Sequence, residues 1–341
     1  MLPHLATVVA GLTLCALAQA DSPASATQYP LTLDNCGVPQ TLARAPERAV
    51  TIGQAGSELL YALGLGERLA GTSLWFNNVL PEFKAQNDKV ERLADNEPSF
   101  EAVVAKRPQL VAVQFEWMVG AQGAVATREQ FAELQIPTYL LPSDCEGKDN
   151  LVGADGTRLQ PFKVQSIYKS ISQLAEIFDV QARGAALNTA LQGSLQRAQQ
   201  QLVGKDLSHT SALFWFSSAD LALDPYVAGR QGVADFMLQT LGVRNVVESN
   251  EEWPTVGWET LAKANPTWLI IARMDRRRYP ADDYQKKLQF LRSDPLTRNM
   301  EAVKQDRIIV LDADAMQAGL RLFRGLQVLS TAFASGKAAQ P

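Results

Sequence analysis

The sequence predicts an α/β fold of two Rossmann-like lobes joined by a single long α-helix, with a ligand cleft between the lobes. Three observations predict it. Short apolar runs alternate with helical patterns along most of the chain. One apolar stripe at helical spacing separates two such stretches. The second stretch also echoes the first in a helix–proline–strand unit. With 341 residues and 46% hydrophobic content, the chain is long enough for two cores of ordinary size.

Taken in order, the chain opens with an apolar block, Leu5 to Leu17, closed by Ala18-Gln19-Ala20 before Asp21. This reads as a secretory signal peptide over residues 1–20, with export to the periplasm, although only His4 and the terminal amine supply its basic end. Cys15 follows Leu14 rather than a small residue, which argues against a lipid anchor. No later segment reaches ~18 consecutive apolar residues, so the mature chain is expected to be soluble. Cys36 and Cys145 then remain as an even pair in an oxidising compartment. A disulfide is the natural reading, and two separate buried thiols are the alternative.

Residues 21–179 are assigned to a first lobe, beginning with an extended lead-in over 21–48. Val50–Ile52, Ala70–Thr72, Leu110–Val113 and Thr138–Leu141 read as buried strands, with helical patterns such as Ser57–Leu63 and Phe100–Ala105 between them. Such alternation means a mostly parallel sheet with helices on its faces. Residues 143–161, rich in Asp, Gly, Lys and Pro, read as an exposed loop. Ile167, Ile171, Leu174 and Phe178 mark one helix. Leu187, Leu191, Leu195, Ala198 and Leu202 mark the next, the inter-lobe linker at 180–203. In the second lobe, 204–341, strands resume at Ala212–Phe216, Trp268–Ala272 and Ile308–Leu311.

The internal echo is the most informative feature. Phe100-Glu101 opens a helical run that reaches Pro108 and the strand Leu110–Val113. Trp258-Glu259 opens another that reaches Pro266 and the strand at Trp268, with the same Glu-to-Pro spacing. Two like lobes facing each other create a cleft, and open α/β sheets bind ligands outside the carboxyl ends of their strands. The net charge of −4 weighs against a nucleic-acid partner.

These residues together resemble the class III periplasmic binding proteins, the group serving iron–siderophore, haem and cobalamin importers. The resemblance covers about residues 30–333. It is carried by Ala45-Pro46-Glu47-Arg48-Ala49-Val50, by Ser57 to Gly64, by the two Glu–helix–Pro–strand units and by Trp253-Pro254-Thr255-Val256. It implies a rigid linker helix, small hinge motion and a monomer that docks on the permease dimer of an inner-membrane ABC importer. It also implies that Glu101 and Glu259 are the docking carboxylates. A carboxylate in a helix's first turn suits bidentate pairing with arginine, though complementing the helix dipole would place it there too.

For the ligand, the resemblance implies a ferric siderophore or a similar organic chelate, with no cofactor and no protein-ligated metal. By analogy, Trp75, Phe115, Trp117, Trp215, Phe216, Tyr226 and Trp253 lie near strand ends that border the cleft. Flat rings bury large area at low entropy cost. The bland reading of each is simply core. Arg230, in a Gly-bracketed turn, together with Arg273 and Arg321, would pair an anionic chelate's oxygens directionally. Asp314 and Met316 occupy the last-strand loop, where the family places cleft residues.

A bare-metal site would favour histidine and carboxylates, and the mature chain keeps one histidine, His209, in a polar stretch. Haem, with a tyrosine such as Tyr226 as axial ligand, and cobalamin stay open, as does an adaptor that frees iron from its chelate. A triad hydrolase needs a histidine beside a nucleophile, and no phosphate-binding glycine motif opens a helix, so the chain is not expected to be an enzyme.

Overall fold

The computed structural model describes residues 26–153 and 155–338. The signal-peptide stretch lies outside the described residues. None of the described helices is long and apolar enough to cross a membrane.

The chain enters through a hairpin, β1 (Leu31–Asn35) and β2 (Val38–Leu42), where the sequence predicts only an extended lead-in. Strands β3 (Ala49–Ile52), β4 (Leu69–Ser73), β5 (Arg92–Ala94), β6 (Leu110–Val113) and β7 (Thr138–Leu140) form a wholly parallel sheet in the order β5-β4-β3-β6-β7. Every residue of β3 and β6 is buried, as expected for parallel strands covered on both faces. Helices α1 (Gln54–Ala62), α2 (Lys84–Asn87), α3 (Phe100–Val104) and α4 (Arg128–Glu133) fill the crossovers.

The hairpin is bolted to β7. Asn35 exchanges hydrogen bonds with the Leu140 backbone at 2.8 and 2.7 Å, and the Arg128 guanidinium donates to the Asn35 carbonyl at 2.9 Å. Cys36 and Cys145 are joined in a disulfide, with Cα atoms 5.8 Å apart. The stretch 143–161 departs from the expected exposed loop. Asp144 and Arg158 are buried, and β8 (Lys148–Asp149) pairs antiparallel with β9 (Thr157–Arg158). Polar composition reads as solvated, yet the Asp144–Lys148 ion pair at 2.6 Å neutralises both charges and lets them pack inside.

After α5 (Gln165–Ile177), α6 (Gln181–Gln200) carries the chain to the other lobe, close to the predicted 180–203. Twenty residues span about 30 Å. Its stripe of Leu187, Leu191 and Leu195 packs against the central core. Gly184 is required by close helix approach: a β-carbon there would lie 2.5 Å from that of Ala175 on α5.

In the second lobe, β10 (Ser211–Ser217) pairs with β11 (Tyr226–Val227), β12 (Arg244–Asn245) and β13 (Trp268–Arg273), and β13 pairs with β14 (Ile308–Asp312). Only β11 runs antiparallel. Helices α7 (Val233–Thr240), α8 (Trp258–Ala264), α9 (Tyr284–Ser293) and α10 (Glu301–Lys304) connect the strands, and α11 (Leu320–Ser335) closes the chain.

One apolar core runs through both lobes, joining Leu59, Ile171, Phe214 and Leu326. Two others cover the far face of each sheet. The last helix contributes to the joint as well. A β-carbon at Gly319, just before α11, would lie 3.1 Å from that of Ala55 in α1.

Candidate functional site: an aromatic cleft between the lobes

The carboxyl ends of the two sheets are fastened together at two places. On one side, the Phe76 carbonyl after β4 accepts the backbone N–H groups of Asp275 (3.1 Å) and Arg276 (2.9 Å) after β13. Asn78 donates from its backbone and its amide to Asp275 Oδ2, both at 2.9 Å, and Asn77 donates to the Arg273 carbonyl at 3.1 Å. Behind this seam lies a buried ion pair between lobes. Arg321 of α11 holds Glu58 of α1 through Nη2–Oε1 (2.6 Å) and Nε–Oε2 (3.0 Å), and reaches Asp312 at 3.1 Å. On the other side, Arg158 Nε donates to Glu252 at 3.1 Å, and the Phe162 N–H donates to the Gln231 carbonyl at 2.8 Å.

Between these fastenings lie the ends of β3 and β6 in one lobe and of β10 in the other. After β6 the chain turns through Gln114–Trp117. Gln114 Oε1 accepts the N–H of Ala55 at the start of α1 at 2.9 Å, and its side chain packs over Gly53, where a β-carbon would come within 2.3 Å. That anchor leaves Phe115 and Trp117 half-buried and stacked, with centroids 6.3 Å apart and planes 20° apart. In the second lobe, Phe216 leaves β10 half-buried against Trp253, with centroids 4.6 Å apart. Lys287, fully buried, donates to the Phe216 carbonyl at 2.6 Å, while Asp282 accepts from Ser217 Oγ and Ser218 N, each at 2.9 Å. The end of β10 is therefore held at three points.

The electrostatics of the joint are dominated by desolvation. Burial pushes Asp314 up to about 7, against the lowering effect of Arg321; Glu58, Asp312 and Asp275 add to the rise. Its Oδ2 has no hydrogen-bond partner. Burial likewise lifts Asp144 to about 6 although Lys148 pulls it down, and lowers Lys287 to about 8 although Asp282 raises it. Glu116 is raised by desolvation, with Lys148 and Arg128 opposing.

The sequence candidates therefore divide. Phe115 stacks on Trp117 in the first lobe and Phe216 packs on Trp253 in the second, each pair half-buried where a strand ends. Trp75 and Trp215 do not line it, being only 2% and 0% exposed. Trp75 donates to Thr72 Oγ1 at 3.0 Å, and Trp215 to Ser218 Oγ at 2.9 Å, with its edge on Trp258. Strand alternation explains Trp215, which lies one residue before the side chain that leaves the core; Trp75 lies past the end of β4, where its indole folds back onto Thr72. Met316 is buried too. The three arginines expected to clamp an anion are already paired. Arg321 is held by Glu58, Arg273 by Asp312 at 2.6 Å, and the exposed Arg230 by Glu248 at 3.4 Å. Tyr226 is exposed on β11, bridged to Thr255. Sequence reasoning missed Glu58, Gln114, Arg158 and the Lys287–Asp282 pair. A charged residue inside an apolar helical face, as Glu58 is among Leu59 and Leu60, was the available signal.

A groove of about 590 Å³ opens at the first seam, lined from both lobes by Asn77–Pro81, Arg273, Asp312 and Arg321. Among the described residues, no group of three or more His, Cys, Asp or Glu side chains is placed to hold a bare metal ion.

This architecture matches known proteins. Residues 50–315 fit the family described as periplasmic binding protein. An uncharacterized ABC transporter substrate-binding lipoprotein, YvrC of Bacillus subtilis, is 23% identical over 304 residues, which cover 89% of this chain and 85% of that one. A vitamin B12-binding protein of Pectobacterium atrosepticum is 26% identical over 232 residues, 66% of this chain and 71% of its own. The crystal structure described as an ABC-type Fe3+-hydroxamate transport system from Saccharomonospora viridis superposes with a TM-score of 0.71 at 21% identity. It covers 90% of this chain and 99% of that one. The two-lobed fold, the connecting helix and the match over residues 50–315 make this chain a member of the class III periplasmic binding proteins of ABC transporters, a substrate-binding protein and not an enzyme.

Proposed function

We propose that this protein, acting as a monomer in the periplasm, captures a ferric siderophore and delivers it to the permease dimer of an ABC importer. The observation that carries this reading is the pair of half-buried aromatic walls, Phe115–Trp117 and Phe216–Trp253, one at the strand ends of each lobe. Rings of this kind suit a bulky organic chelate, whose own ligands already saturate the metal. The fastenings on both sides favour a pocket formed before the ligand arrives, so little binding energy is consumed by closure.

Docking is assigned to Glu101 and Glu259. Both are exposed in the first turns of α3 and α8, helices that lead into β6 and β13. Their N-terminal ends therefore lie at the carboxyl edge of each sheet, the edge that borders the cleft. Replacing both by alanine should leave chelate affinity unchanged and abolish uptake in cells; normal uptake would refute the assignment.

The substrate class is tested by tryptophan-fluorescence titration with ferric hydroxamates, ferric catecholates, haemin and cyanocobalamin. Saturable quenching by a ferric siderophore alone is the expected result. Cobalamin is the second reading, favoured by the likeness to vitamin B12-binding proteins. Saturation by cyanocobalamin or haemin, with no response to any siderophore, would replace the iron-chelate assignment.

A further inference from the structure

The aromatic wall of the first lobe contains a carboxylate. Glu116 sits between Phe115 and Trp117 in sequence and is, like them, half-buried. Its position is built rather than accidental. The Glu116 N–H donates to buried Asp144 Oδ2 at 2.6 Å, fixing the turn. Its side chain folds over Gly120, where an ideal β-carbon would lie 1.7 Å from Glu116 Oε1.

Among the described residues, this carboxylate has neither an ion-pair partner within 4.0 Å nor a hydrogen-bond donor. The cations whose charge reaches it are engaged elsewhere. Lys148 Nζ is held by Asp144 Oδ1 at 2.6 Å, and Arg128 by Asn35 and Thr138 at 2.9 Å. Three further arginines are engaged, and Arg278 is not. Arg158 bonds Glu252, and Arg276 donates to the Trp75 carbonyl at 2.6 Å. Arg277 pairs with Asp283, while Arg278 stands exposed over Tyr279. A polyanionic ligand would thus meet an unpaired carboxylate beside one aromatic pair and, Arg278 apart, would have to break existing pairs to find guanidinium groups. A ligand with a protonated amine would find a charge-assisted acceptor in a partly desolvated place, where such a bond is strongest.

We propose that Glu116 is a specificity-determining residue of the cleft, selecting an iron chelate that presents a protonated amine to the first lobe's aromatic wall over chelates of net negative charge. This rests on the iron-chelate reading of the site. The raised proton affinity of Glu116 adds a second signature. The preference is present where Glu116 is ionised and fades as pH falls and the carboxyl takes up its proton, with Asp144, Lys148 and Arg128 the other charged groups facing the turn.

The test compares two ligands that differ only at the amine. Ferrioxamine B is a ferric tris-hydroxamate with a free ammonium group, and its N-acetyl form lacks that charge. Ferric enterobactin, a catecholate polyanion, serves as the third probe. Wild-type protein should bind ferrioxamine B about tenfold or more tightly than the acetylated form, the scale of one charge-assisted bond, and ferric enterobactin most weakly. Glu116→Gln keeps the side-chain size over Gly120 and should bring the two hydroxamates to within about threefold, with the preference also shrinking in high salt. Equal binding of both hydroxamates by wild type, or an unchanged ratio in Glu116→Gln, would overturn the role of Glu116 while leaving the iron-chelate reading intact. Tightest binding of ferric enterobactin would do the same. Failure of all three ferric complexes to bind would overturn the iron-chelate reading, and this inference with it. The wild-type comparison needs no variant, so it stands whatever the stability of Glu116→Gln.

Discussion

The seam at Glu58–Arg321 and the aromatic pairs Phe115–Trp117 and Phe216–Trp253 are built with opposite chemistry. At the seam, charges are buried and paired: Arg321 is 4% exposed and Glu58 1%. In the aromatic pairs, the rings stay half-buried, packed on the core by one side and on each other. The difference teaches how such a binder divides its labour. A buried ion pair adds little net stability over an apolar isostere, yet losing one member is severe, so it fixes a unique relative placement of the lobes. The rings contribute little to that placement and keep area to offer a ligand.

The sharpest way to break the comparison is at the seam. Arg321→Met leaves Glu58 buried without its partner and should cost about 3–5 kcal/mol in chemical denaturation. Adding Glu58→Gln should recover much of it, because the uncompensated charge is gone. A loss below about 1 kcal/mol for the single change would deny the seam its role.

Neighbouring residues on β10 offer the next contrast. Trp215→Ala empties a core position and should cost about 3–5 kcal/mol of stability. Phe216→Ala, one residue on, should cost far less stability but weaken chelate binding about tenfold, as expected for one aromatic contact. Equal stability losses at both positions would erase the distinction between core and wall.

A smaller effect follows from Asp314. Its folded-state affinity for a proton is raised to about 7, so the folded protein keeps a proton that the unfolded chain releases near the ordinary aspartate value of 3.8. Stability therefore falls as pH rises through that window, by the linkage of at most one proton. Asp314→Asn should flatten this part of the denaturation profile; an unchanged slope would place the titration elsewhere.

Much of the fold was legible because parallel strands announce themselves as short apolar runs. Leu110–Val113 falls where the pattern put it, and α6 begins within a residue of the predicted linker. The aromatic residues were half legible. Composition could nominate Trp215 and Phe216 together, but which of two adjacent rings leaves the core depends on strand register, set by pairing with β13. Glu58 and Arg321 were invisible as partners because 263 positions separate them and only the folded joint brings them together. Arginines nominated for an anion were nominated by type and by their place at turns and strand ends; their carboxylate partners come from other elements, as Asp312 on β14 does for Arg273 on β13.

The most direct test of the account is calorimetric titration of ferrioxamine B into wild-type protein and into Trp117→Ala, Trp253→Ala and the double variant. If the ligand is held between walls from both lobes, each single change should weaken binding about tenfold, and the double change should weaken it by about the product of the two. Full wild-type affinity in the double variant, with wild type binding normally, would contradict the aromatic cleft as the site of capture.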